Sequence, residues 1–308
     1  QPDIEDTSPA QLIAQPGAAD ENVAARDLAV DSFAQYFRRR STLEEQASEV
    51  EVESSLTTTT KVFQVTGTRT PDYRTRAVEL TASANDVLTL AKAEGVSMTM
   101  YLTALFFEAI RRSSDGFGRS RTLAATIPVN LRQFFPSVSP RNFFATVRVE
   151  HTYGEGPDDI ASVGRQLEQQ FRPKASPEAL GKKLRRLTRV ERSPLLRIVP
   201  RPLKDVILRG LNWANNRGLT VSVSNLGRVT LPEAIDSHVG AMAFHVSAVR
   251  PQMCVMSHAG LLTISFTSPF VETDHIREFA RYLTDQGIAV TVAAARVTES
   301  ELAEELES

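Results

Sequence analysis

Strand-forming and helix-forming stretches follow one another along this chain without strict alternation, and that order limits the fold class more than any single motif. Apolar, β-branched runs at 122–131 and 143–150 give way to helical-period segments. A β-rich last third follows, with runs at 219–224, 242–249, 252–256 and 261–267, a helix over 274–285 and a closing strand over 288–294. A doubly wound parallel sheet needs strand and helix to alternate. This order favours an α/β chain of the α+β type instead, a mixed sheet packed with helices.

Local signals place the elements. Residues 62–65 and 75–80 alternate apolar and polar side chains and read as strands joined by a turn at Pro71-Asp72. Ser83 or Asn85 caps a helix through Val87 and Ala91 that Gly95 ends, and 97–112 forms a second helix, apolar on most sides and therefore buried. Pro157-Asp158-Asp159 opens a helix reaching about Phe171. Between 182 and 209, cations alternate with Leu, Ile and Val at helical spacing, which gives amphipathic helices with positive faces. Globular structure is expected over 61–298. It is preceded by an acidic segment at 1–60, with a helix near 22–40 and a linker over 41–60, and followed by an acidic tail at 299–308. Gln1 and the Pro, Ala and acid-rich start read as the middle of a longer polypeptide.

Charge and cysteine usage exclude several classes. Net charge is −2, so no global field favours nucleic acid or a membrane surface. The basic helices suit a phosphate or an acidic partner, but without interleaved aromatics they argue against nucleic acid. Cys254 is the one cysteine, it lies in an apolar run, and it suits a reducing, cytoplasmic setting. No apolar run approaches the ~18 residues of a bilayer span. Phosphate-loop, dinucleotide, zinc-protease and G-x-S-x-G signatures are absent, so no metal and no permanently bound cofactor is expected.

Three stretches do carry site chemistry. Arg132 ends the apolar strand Ile127-Pro128-Val129-Asn130-Leu131, where it must reach solvent or meet a carboxylate. No acidic residue lies close in sequence; Asp115 and Glu150 are the nearest. Asn142 precedes Phe143-Phe144. Ser224-Asn225-Leu226-Gly227 places a hydroxyl and a carboxamide at a strand end, where they can support an oxyanion or merely shape a tight turn. His151 reads as H-x-x-x-E with Glu155, a possible base and orienter, or as a residue ending a strand before a turn.

Taken in order, Val129-Asn130-Leu131-Arg132, Arg141-Asn142-Phe143-Phe144, Val199-Pro200 with Leu203-Lys204, Ser224-Asn225-Leu226-Gly227 and Leu262-Thr263-Ile264-Ser265-Phe266 resemble the alcohol acetyltransferase and condensation-domain group. That group shares the chloramphenicol acetyltransferase-like fold. The 84–112 helix pair, with Gly95-Val96-Ser97-Met98-Thr99 at its bend, and Asp31-Ser32-Phe33-Ala34-Gln35-Tyr36 are similar to the group as well. The resemblance runs from Asp31 to Val297 and matches mainly the second half of the fold.

It implies an acyl thioester donor, acyl-CoA or carrier-bound, and an alcohol or amine acceptor, with acyl-CoA as co-substrate. It also implies a base histidine in an H-H-x-x-x-D-G segment, and no H-x-x-x-D occurs in these residues. The segment is therefore expected upstream, as a partner, and the chain alone is expected to be inactive. Arg132 matches the arginine that pairs with the aspartate of that segment. Ser224 and Asn225 match a strand near the acyl tunnel, and Asn142 the strand beneath it. The other reading is a binding or interaction module that keeps the fold without the chemistry.

Overall fold

The computed structural model describes residues 30–37, 62–114, 117–119, 121–191, 205, 209–210, 216–246 and 249–301. The sequence motifs at Val199-Pro200 and Leu203-Lys204, the linker over 41–60 and most of the tail lie outside them. Among the described residues, seven strands form one sheet: β1 (Arg76–Ser83), β2 (Thr122–Asn130), β3 (Phe144–Thr152), β4 (Val221–Arg228), β5 (Gln252–His258), β6 (Leu261–Ser268) and β7 (Thr291–Ala294). Their order is β3-β2-β4-β5-β6-β1-β7. The β2–β4 and β4–β5 pairs are parallel and the others antiparallel, so the mixed sheet expected from the element order is the sheet observed.

The helices are α1 (Ser32–Phe37), α2 (Ala84–Ala93), α3 (Met98–Ser113), α4 (Ile160–Lys174), α5 (Pro177–Glu191), the single turn α6 (Glu233–Asp236) and α7 (Asp274–Asp285). Side chains start them where the sequence indicates. Ser83 Oγ accepts the Asp86 N–H, Ser97 Oγ the Met100 N–H and Asp159 Oδ1 the Ser162 N–H, each satisfying a donor that the first helical turn leaves open. Gly287, at φ +80°, closes α7 in the left-handed region that a Cβ disfavours.

Burial explains the layering. Every residue from Met100 to Ile110 is buried, because α3 lies between the sheet and its neighbours α4 and α7. Phe266 of β6 meets Phe106 of α3 and Phe279 of α7 edge-on, at 5.2 and 5.1 Å between ring centres. On β1, Val78, Leu80 and Ala82 face this layer. Alternate residues face the other side of the sheet, where Thr263, Ser265 and Thr267 of β6 pair with Met256, Cys254 and Gln252 of β5. They are covered by the chain after β4: His245 Nε2 sits 2.7 Å from Glu79 Oε1, and Thr267 Oγ1 donates to Val246 O at 2.5 Å.

Two expected strands are not in the sheet. Residues 62–65 are extended but only clip across strand ends: the Phe63 N–H donates to Thr122 O at 2.8 Å, and Thr220 Oγ1 to Phe63 O at 2.7 Å. Residues 242–246 form no ladder, because β4 and β5 already pair with each other and β6 occupies the far side of β5. The closing strand is also shorter than expected, four residues from Thr291.

The β5–β6 hairpin turns on Ala259 and Gly260, at φ +48° and +79°, the two-residue turn whose twist suits antiparallel strands. Alanine tolerates that region poorly. Ala259→Gly is therefore expected to stabilise the protein by about 1 kcal/mol, read as a raised denaturation midpoint in urea; an unchanged or lowered midpoint would contradict the turn geometry.

Candidate functional site

β2 and β4 are paired over Ala125↔Val221 and Thr126↔Ser222 alone. Beyond those positions β2 stays paired with β3 up to Asn130, while β4 stays paired with β5 up to Arg228. The sheet therefore parts at one end. Arg132 and Asn142 stand beside one lip, at the β2–β3 connection, and Ser224 and Asn225 belong to the other.

On the first lip, Asn130 Oδ1 accepts the Arg132 N–H at 3.1 Å and turns the chain out of β2. Arg132 is half-buried. Its Nη2 donates to Ser139 O at 2.5 Å and Arg141 O at 2.7 Å, and the guanidinium lies 6.0 Å from the Phe143 ring centre. Two carbonyls and an aromatic face thus surround it, and the cation ties the far side of the loop back to the strand end. Helix α1 rests on the same loop. Ser32 Oγ meets Ser137 Oγ at 2.5 Å, Tyr36 Oη donates to Pro136 O at 2.5 Å, and Phe33 meets Phe143 edge-on at 5.0 Å. Asn142 is exposed.

On the second lip, a bulge falls between Asn225 and Gly227. Asn225 Oδ1 accepts the Gly227 N–H at 2.7 Å, and Gly227 takes φ +71°. Asn225 Nδ2 donates to Thr99 Oγ1 at 2.9 Å, in the first turn of α3. Both ends of the carboxamide are thereby fixed, which leaves one Nδ2 hydrogen for another acceptor. Ser224 points the opposite way along the strand, in register with Cys254. Burial pushes the Cys254 thiol up to about 11, so it stays protonated.

His151 stands elsewhere. It pairs with Leu123 near the start of β2, seven residues along β3 from Phe144, which is on the order of 23 Å at the rise of a strand. Only 2% of its surface is exposed. Nδ1 lies 2.5 Å from Gln166 Oε1 and Nε2 lies 3.0 Å from Asp158 Oδ1. Asp158 also accepts the Gly154 N–H, so this histidine ties the β3–α4 turn together. Its carboxylate neighbour is Asp158 rather than Glu155. Among the described residues, no histidine is hydrogen-bonded to Arg132, Asn142, Ser224 or Asn225, and no group of three or more metal-ligating side chains is present.

Sequence reading missed Thr99 and Asn130, which hold Asn225 and Arg132 in place. Asn130 carried a signal, an Asx residue two before a chain reversal. Thr99 carried none, being 126 residues away from its partner.

No protein-family model and no curated protein matches the chain. Solved structures do. The nonribosomal peptide synthetase FmoA3 aligns with a TM-score of 0.53 and 17% identity over 88% of this chain and 29% of its own. Weaker likenesses include the epimerization domain of the third module of tyrocidine synthetase B, with a TM-score of 0.48, 16% identity, and 82% of this chain against 56% of that one. The trichothecene 15-O-acetyltransferase TRI3 of Fusarium sporotrichioides gives 0.48, 12%, 84% and 54%. The chain thus spans little more than half the length of such structures, or less. At these identities the likeness is one of fold. The fold is that of the condensation-domain and chloramphenicol acetyltransferase-like group which the sequence motifs resemble.

Proposed function

We propose that this chain supplies the second half of an acyltransferase site, in which an acyl group passes from acyl-CoA or a carrier-bound thioester to an alcohol or amine. The observation that carries this reading is the parted sheet end, which brings Arg132 and Asn142 to one lip and Ser224 and Asn225 to the other. A histidine base comes from a polypeptide segment other than these 308 residues and removes the acceptor's proton as its oxygen or nitrogen attacks the thioester carbonyl. The Ser224 hydroxyl, or the remaining Nδ2 hydrogen of Asn225, donates to the oxyanion until the thiolate leaves. Acyl-CoA is a co-substrate here, with no resident cofactor, and the setting is the cytoplasm. Among the described residues, no helix is long and apolar enough to cross a membrane.

Thiol release from acetyl-CoA in the presence of an alcohol tests the reading. The purified chain is expected to release none above background. Adding a separate polypeptide bearing H-H-x-x-x-D-G, taken from a relative of the group, is expected to restore release, and a Ser224→Ala, Asn225→Ala double variant to lower it by roughly 10²-fold. Release by the chain alone that His151→Ala abolishes would overturn the proposal. Formation of the complex without any release would establish the binding-module reading instead.

A further inference from the structure

β3 is an edge strand of the sheet. Three of its outward-facing carbonyls, at successive second residues, are met by side chains from the helix layer. Lys183 Nζ donates to Thr146 O at 2.5 Å, Lys174 Nζ to Arg148 O at 3.0 Å, and Gln170 Nε2 to Glu150 O at 2.7 Å. At Glu150 the cover is complete, because Gln170 Oε1 also accepts the Glu150 N–H at 3.0 Å. That carboxamide makes the two bonds which a peptide group of an added strand would make. At Thr146 and Arg148 only the carbonyls are covered; among the described residues no protein group meets their outward N–H donors. The edge is therefore closed at one end and half-open over 144–148.

The half-open stretch has a distinct chemistry. Phe144 is 47% exposed beside it, which leaves apolar surface at its start. Lys174 and Lys183 are exposed residues whose ammonium ends are held at these carbonyls. Loss of hydration lowers the pKa of both, and the charge of Lys174 lowers Lys183 further. Two crowded cations on long, flexible side chains can swing from carbonyls to carboxylates with little loss, whereas an uncovered carbonyl and N–H then call for a backbone.

We propose that residues 144–148 of β3 form a strand-addition site for an extended acidic peptide of a partner protein, with Lys174 and Lys183 guarding the edge when it is empty and pairing with the peptide's carboxylates when it is filled. Gln170 ends the site by occupying the next position. Main-chain hydrogen bonds supply the affinity and the two lysines select the charge.

Fluorescence anisotropy of a short capped peptide alternating glutamate and valine, titrated with the full 308-residue chain, tests this. Saturable binding that weakens with salt is expected, and a lysine-valine peptide is expected not to bind. N-methylation of alternate peptide residues should weaken binding about ten-fold in one phase of the alternation and leave it nearly unchanged in the other, because only one set of N–H groups faces β3. A double variant, Lys174→Ala with Lys183→Ala, should also weaken it. The peptide variants leave the protein untouched, so misfolding cannot imitate their effect. Three results would each overturn the proposal: no saturable binding, equal binding of both N-methylated peptides, or binding that appears only after residues 41–60 are removed. The last would make the occupant a stretch of this chain.

Discussion

A His275→Leu variant is expected to lose most of the acid sensitivity of the parent protein between pH 6.5 and 4. His275 lies in the first turn of α7 with 6% of its surface exposed, its ring 6.0 Å from that of Phe106, and Nε2 without a hydrogen-bond partner among the described residues. Burial pushes the imidazole down to about 4, against the smaller opposing pull of the Asp274 and Glu272 carboxylates. The folded state therefore holds a neutral ring, whereas the unfolded chain binds a proton near the ordinary value of about 6.5.

The contribution is present above about pH 6.5 and is lost as pH falls toward 4, below which both states are protonated and the slope ends. A difference of that size corresponds to roughly 3 kcal/mol. Glu301, held down to about 2 chiefly by its hydrogen bond with Arg76, loses its own contribution only as pH falls from its ordinary value of about 4.5, so it overlaps the acid end of this window and not the span above pH 5. Urea denaturation at several pH values measures it directly. Parallel curves for the parent and His275→Leu would show that the imidazole is solvated after all.

Much of the framework behind these expectations was legible in the sequence. Ser83 and Ser97 announced their helices because a hydroxyl at an N-cap is a local matter, and α7 ends where Asp285 and Gly287 mark it. His275 belongs to the same stripe as Ile276, Phe279 and Leu283, so its burial was readable from helical period, though not that Nε2 meets no partner among the described residues. The parting of β2 from β4 was not readable. Both strands keep strand-like sequences past Thr126 and Ser222, and what separates them is decided by pairing with β3 and β5. Residues 242–249 failed for the opposite reason. Their alternation is that of a strand, but the described residues 242–246 pair with no strand, and Val246 and Val249 are exposed. Four of the candidate residues gather at one end of the sheet because two parallel strands finish there, a fact of topology that no local pattern carries.

Arg132→Ala is expected to destabilise the protein by about 3 kcal/mol, since hydrogen bonds from a charged donor contribute about 1.5–3 kcal/mol each. The guanidinium holds Ser139 O and Arg141 O together, and Ser139 is 2% exposed, so the variant loses a charged hydrogen bond made in a buried place. Arg132→Lys keeps the charge, but its shorter side chain stops short of the Nη2 position that serves both carbonyls and has no planar group to set against Phe143, so it should recover less than half of the loss. Because α1 rests on this loop through Ser137, Pro136 and Phe143, the damage is also local. Amide exchange at 34–37 should quicken in Arg132→Ala while exchange in the middle of α3 remains slow. A variant with parent-like stability and unchanged α1 protection would mean that the loop is held by its aromatic cluster alone.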